Sequence, residues 1–91
     1  MNKTIHVKVE GYVQGVGFRY ATLQKALNLN IAGWVKNEST GSVSTLLQGS
    51  DTSINAMIQW LDTGPPSAKV TKVTTHENEP APVYTSFKII A

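Results

Sequence analysis

Arg19 is the single arginine among eight basic residues in this 91-residue chain, and it closes the run Gly11-Tyr12-Val13-Gln14-Gly15-Val16-Gly17-Phe18-Arg19. Gly15 and Gly17 accept positive φ, so backbone N–H groups from Gln14 to Phe18 can converge on one anion while the planar guanidinium adds paired donors from the side. Phosphate is the natural occupant of such an oxyanion cradle. The local charge agrees, because residues 11–37 hold Arg19, Lys25 and Lys36 and no carboxylate, so an anion there meets no nearby repulsion. Two nucleotide motifs fail on spacing. A P-loop needs Lys and then Ser or Thr after its last glycine, and Tyr20 stands where a dinucleotide fingerprint has its third glycine.

The elements that must hold this loop follow from apolar periodicity. Ile5, Val7 and Val9 alternate with His6, Lys8 and Glu10, the period of a half-buried strand. From Tyr20 the spacing becomes Tyr20, Leu23, Ala26 and Leu27, which predicts a helix of about ten residues with those side chains on its inner face. Asn28 or Asn30 is expected to end it, asparagine being the usual substitute for glycine in a left-handed cap. Ile31 to Asn37 and Ser42 to Gln48 read as a hairpin around Glu38-Ser39-Thr40-Gly41. Gly49-Ser50-Asp51 offers a cap to a second helix with Ile54, Met57, Ile58 and Leu61 at i, i+3, i+4 and i+7, and Gly64-Pro65-Pro66 stops it. Lys69 to His76 gives a fourth strand, and Ser86 to Ile90 a short last one.

The resulting order is βαββαβ with a terminal strand appended. Two helices of this length cover one face of a small sheet, so the expected class is α+β, a ferredoxin-like split βαβ sandwich with both helices on one face of a mixed, mainly antiparallel sheet. The first strand is expected to sit centrally, where it delivers the glycine loop to the start of the first helix. A helix N-terminus adds about half a positive charge at that spot.

Composition bounds the function classes. The length suits one small domain over 1–91. Cysteine is absent, which excludes disulfides, thiolate zinc and a cysteine nucleophile. The net charge of +2 is mild and the lysines are scattered rather than gathered into a nucleic-acid stripe. No charged-then-apolar leader opens the sequence and no apolar run approaches the roughly 18 residues of a membrane span, so a cytoplasmic protein is expected.

Val13-Gln14-Gly15-Val16-Gly17-Phe18-Arg19, followed by Gly33-Trp34-Val35-Lys36-Asn37 and Gly41-Ser42-Val43, resembles the paired signature of the acylphosphatases, small enzymes that hydrolyse carboxyl-phosphate anhydrides. Trp60-Leu61 and Gly64-Pro65-Pro66-Ser67-Ala68-Lys69-Val70 resemble that family's second helix and its exit into the next strand. The likeness spans nearly the whole chain and is to the small bacterial type. It implies that Arg19 binds the phosphate, that Asn37 positions the attacking water, and that the backbone of Gln14, Gly15, Val16, Gly17 and Phe18 cradles the substrate. Asn30 departs from the family's usual glycine after the first helix, and Thr40 from an acidic or amide residue in the hairpin turn.

The implied reaction suits so sparse a site. An acyl phosphate expels a carboxylate, a weak base, so no proton donor is needed for the leaving group. Charge stabilisation and an oriented water suffice, and the implied reaction calls for neither metal nor cofactor. The implied partners are a small acyl phosphate, such as acetyl or carbamoyl phosphate, and inorganic phosphate as product and competitive inhibitor. Nucleic acid and membrane are not expected. The short, lysine-bearing last strand favours a monomer. Taken singly, the same features have plainer readings. A glycine turn is often only a turn, and Asn37 before a turn is often a turn former. Trp34 and Trp60 read as packing, and His6 and His76 lie outside the cradle. A non-catalytic ferredoxin-like phosphate- or RNA-binding module is the competing class, because the same fold hosts both.

Overall fold

The computed structural model describes residues 2–77 and 80–90. Its elements are β1 (Asn2–Tyr12), α1 (Phe18–Asn28), β2 (Ala32–Asn37), β3 (Val43–Ser50), α2 (Asp51–Thr63), β4 (Lys69–Glu77) and β5 (Phe87–Ile89). The sheet runs β4-β1-β3-β2-β5. Every neighbouring pair is antiparallel except β2 with β5. This is the ferredoxin-like split βαβ sandwich. β1 is interior, between β4 and β3, while β3 takes the middle place.

One face of the sheet is apolar and lies under the helices. Ile5, Val7 and Val9 of β1, Val35 of β2 and Val43 and Leu47 of β3 form one buried cluster with Ile54, Met57 and Leu61 of α2. Each such side chain, fully removed from water, stabilises the fold by about 1.5–3 kcal/mol. The α2 stripe is the one its spacing predicts. Ser50 caps that helix, its hydroxyl accepting from the Ser53 N–H at 3.2 Å, which satisfies a donor the first turn would otherwise leave free.

The buried face of α1 differs from its apolar spacing. The helix begins at Phe18, and its buried residues are Phe18, Thr22 and Ala26, whereas Tyr20 and Leu27 are 63% and 54% exposed. Thr22 explains the difference. Its hydroxyl donates to the Phe18 carbonyl at 2.8 Å, so the polar group is satisfied within the helix and the side chain packs as an apolar one. The Phe18 ring meets Trp60 of α2 at a centroid distance of 5.9 Å, which fixes the first turn of α1 against the neighbouring helix. At the other end Asn30 takes φ 56°, the left-handed conformation expected of it.

Register brings the two halves of the motif together. Val43 of β3 lies opposite Val9 of β1 on one side and opposite Asn37 of β2 on the other. The loop that leaves β1 and the end of β2 therefore emerge at the same end of the sheet, two strand spacings or about 10 Å apart. No helix among the described residues is long and apolar enough to cross a membrane.

Candidate active site

Between β1 and α1 the chain turns on two glycines. Gly15 has φ 75° and Gly17 has φ 76°, both in the left-handed region. A Cβ at either position would meet nothing within 4 Å, so the backbone angle and not crowding calls for glycine. Gly17 is the N-cap of α1, no side chain caps the helix, and its first turn carries no acid. The helix N-terminus is thus left with its donors unclaimed by a capping side chain and its partial positive charge unneutralised.

A cavity of about 220 Å³ opens at this point, lined by Val13, Gly15, Gly17, Phe18, Arg19, Tyr20, Asn37 and Ile89. Of the residues singled out in the sequence, it brings together Gly15, Gly17, Phe18, Arg19 and Asn37. Gln14 and Val16 are not among its lining residues. The Val16 carbonyl instead accepts from the Ser67 hydroxyl at 2.7 Å, which ties the loop to the segment after α2.

Gln14 has a role in its side chain that the sequence did not disclose. Its Nε2 donates to the Glu38 carbonyl at 2.8 Å and to the Ser42 carbonyl at 2.9 Å. Those two carbonyls already close the β2–β3 hairpin, accepting from the Gly41 N–H at 3.1 Å and the Glu38 N–H at 2.9 Å. The carboxamide therefore fastens the glycine loop to the turn that directly follows Asn37. Within the turn the Thr40 and Ser42 hydroxyls lie 3.0 Å apart, and Ser44 donates to Glu38 Oε2 at 2.8 Å.

Asn37 is itself unusual. Its Oδ1 is buried and has no hydrogen-bond partner among the described residues. A buried acceptor left unpaired costs about 1–3 kcal/mol, and a protein retains that cost where a ligand or water supplies the missing donor. The cavity is thus lined by Arg19, which has no ion-pair partner among the described residues, by the start of α1, and by Asn37, whose carbonyl oxygen is buried and unpaired. A positive charge, a helix N-terminus and an amide side chain together are chemically suited to a tetrahedral anion beside a water.

The opposite face of the sheet has a different character. Gln48 holds the segment before β5 over it, donating to the Pro82 carbonyl at 2.7 Å and accepting from the Tyr84 N–H at 2.8 Å. The ring pairs there, His6 with Trp34 at 5.9 Å and with His76 at 6.5 Å, sit beneath and beside that strap. Of the interior strands, β3 carries no ring and β1 carries only His6 and, at its last residue, Tyr12, so they offer no paired aromatic platform of the kind an RNA reader stacks bases on.

Comparison with known proteins gives a consistent result. The acylphosphatase family profile matches residues 5–89. An acylphosphatase of Paraburkholderia xenovorans is 46% identical over 86 residues, which cover 94% of this chain and 89% of the relative. One from Burkholderia mallei is 51% identical over 76 residues, covering 84% of this chain and 78% of that protein. The crystal structure of the acylphosphatase from Bacillus subtilis superposes with a TM-score of 0.94 at 33% identity, covering 100% of both chains.

Proposed function

We infer the work of each site residue from one premise: the chain belongs to the acylphosphatase family. It is an enzyme, a hydrolase that splits acyl phosphates into a carboxylate and inorganic phosphate. The phosphoryl group lies in the cavity against the backbone of Gln14 to Phe18, with the Arg19 guanidinium on its oxygens. Asn37 holds the attacking water. One observation carries this reading, namely that Arg19, the two left-handed glycines and Asn37, whose buried Oδ1 has no partner among the described residues, line a single cavity.

The division of labour follows from the charges. In the transition state the phosphoryl group flattens and its charge spreads over the equatorial oxygens. Only donors that tighten at that moment raise the turnover rate. A guanidinium and fixed N–H groups do so without reorganising. Asn37 is no base at neutral pH, but its Oδ1 accepts a hydrogen bond from water and fixes it on the line of attack. The carboxylate leaves unprotonated, and the water's proton goes to a phosphate oxygen. The reading extends to a single domain over 1–91, a monomer in the cytoplasm, and inorganic phosphate as a competitive inhibitor. The absence of cysteine fits a reducing compartment.

A time course of acetyl phosphate hydrolysis, with and without a chelator and beside a phosphate monoester, tests class, metal need and specificity together. The expected result is rapid loss of the anhydride, unaffected by chelation, with the monoester untouched. Folded protein that leaves every mixed anhydride intact would overturn the reading in favour of a phosphate-binding module.

Gln14 is expected to act through position. In Gln14→Leu both side-chain bonds to the hairpin vanish while the two carbonyls keep their backbone partners. The expected loss is about 1 kcal/mol of stability, or roughly 4–8 °C in Tm. Turnover falls further than this implies, about 10- to 100-fold, because the turn beside Asn37 is no longer fastened to the loop. Thermal unfolding and kcat measured on one preparation check both figures. An unchanged kcat with a lowered Tm would reduce the clamp to a structural one.

A further inference from the structure

The loop between β1 and α1 has little of its own to hold it. Among the described residues no main-chain group of Gln14, Gly15 or Val16 bonds to another main-chain group. One hydrogen bond fixes the direction of a peptide there, the 2.7 Å bond from the Ser67 hydroxyl to the Val16 carbonyl. That carbonyl shares a trans peptide with the Gly17 N–H, so the two point in opposite senses. Ser67 does not line the cavity, whereas Gly17 borders the volume shared with Arg19 and Asn37. A carbonyl held toward Ser67 therefore turns the Gly17 N–H toward that volume. The hydroxyl is presented from a stiff segment after α2. The Ala68 N–H donates to the Pro65 carbonyl at 3.0 Å, Pro65 and Pro66 fix their own φ, and Ala68, like Val16, packs against the main core cluster.

We propose that Ser67 is a positioning residue for the phosphoryl group: it holds the Val16–Gly17 peptide in the one orientation that offers the anion an N–H and not a carbonyl. The inference rests on the proposed reading of this cavity as the hydrolytic site. The need for a latch follows from glycine itself. Gly17 takes φ 76°, and a residue without Cβ takes negative φ about as readily, so the peptide before it turns over at little steric cost. In the empty cavity charge favours the turned-over state, because the Val16 carbonyl then points toward Arg19 and the positive end of α1. That state repels phosphate. Ser67 opposes it by giving the carbonyl a donor on the side away from the cavity. A turned-over loop does not bind the anion, while a loop that has bound it is already in the competent orientation. The latch is therefore read in apparent affinity and in KM, and not in kcat.

The test sets calorimetric binding of inorganic phosphate beside hydrolysis of acetyl phosphate, in the wild-type chain and in Ser67→Ala and Ser67→Thr. In Ser67→Ala the Kd for phosphate and the KM are expected to rise together by about 3- to 10-fold, with kcat within about twofold of the wild type. Ser67→Thr keeps the hydroxyl and is expected to restore both. NMR relaxation dispersion at the Gly17 amide reads the peptide directly. Exchange on the μs–ms timescale is expected in free Ser67→Ala and is expected to disappear at saturating phosphate. An unchanged phosphate Kd in Ser67→Ala, or a loss confined to kcat, overturns the latch. A wild-type chain whose phosphate affinity depends on Ser67 in this way but which hydrolyses no mixed anhydride overturns the hydrolytic reading and upholds the latch.

Discussion

Arg19→Gln is expected to lower the turnover of acetyl phosphate by at least about 10²–10³-fold while leaving thermal unfolding where it is. The separation of the two effects follows from the position of the side chain. Arg19 is exposed, and the ion pairs among the described residues are those of Lys3 and Lys36, not of Arg19. Its removal therefore breaks no stabilising pair. Glutamine retains the length for one hydrogen bond but carries no charge and lacks the forked donors that match two phosphate oxygens at once. Arg19→Lys sharpens the point, because it restores charge without the fork. It is expected to recover part of the affinity for phosphate and little of kcat, since a mobile ammonium follows the anion instead of being set in advance for the flattened phosphoryl group. Initial rates with a model acyl phosphate, measured beside a thermal melt for each variant, decide the matter. Near-normal turnover in Arg19→Gln would remove the arginine from the chemistry.

The parts of this molecule that local chemistry controls were legible in the residues, and the parts that distant contacts control were not. Alternation in β1 and the 3.6-residue stripe of α2 are each produced by one buried face, so the pattern and the structure agree at Ile5, Val7 and Val9 and at Ile54, Met57 and Leu61. The glycine loop is legible for the same reason, because a need for positive φ is written in the residue type itself. α1 misleads because Thr22 hides its hydroxyl against the Phe18 carbonyl, so a polar letter occupies the inner face and Tyr20 and Leu27 are left outside. The Gln14 clamp spans 24 and 28 residues to its two acceptors, and no local pattern announces a side-chain bond to backbone across that separation. The orphaned oxygen of Asn37 is equally silent in sequence, since it depends on what the fold fails to bring near it. The same holds for Tyr20 and Ile89, which share a cavity only after the parallel pairing of β5 with β2 has placed the last strand beside the site.

Asn37→Ala is expected to divide catalysis from binding. If the carboxamide positions water, its loss lowers kcat by about 10²-fold while inhibition by inorganic phosphate weakens far less, because the guanidinium and the backbone donors still hold the anion. Stability should not fall as it does on deleting a satisfied polar group. The Oδ1 atom is buried without a partner among the described residues, so its removal relieves an unpaid desolvation of about 1–3 kcal/mol, against which stands the lost packing of the side chain. A melt within a few degrees of the wild type, or above it, is the expected outcome. Asn37→Asp separates shape from charge. It keeps an acceptor in the same place but sets a carboxylate beside the phosphoryl oxygens, so phosphate inhibition should weaken markedly along with kcat, and both should partly recover as the pH falls and the carboxyl is protonated. Equal losses of kcat and of phosphate affinity in Asn37→Ala would instead make the residue a binding group, and the attacking water would then need another holder among the residues that line the cavity.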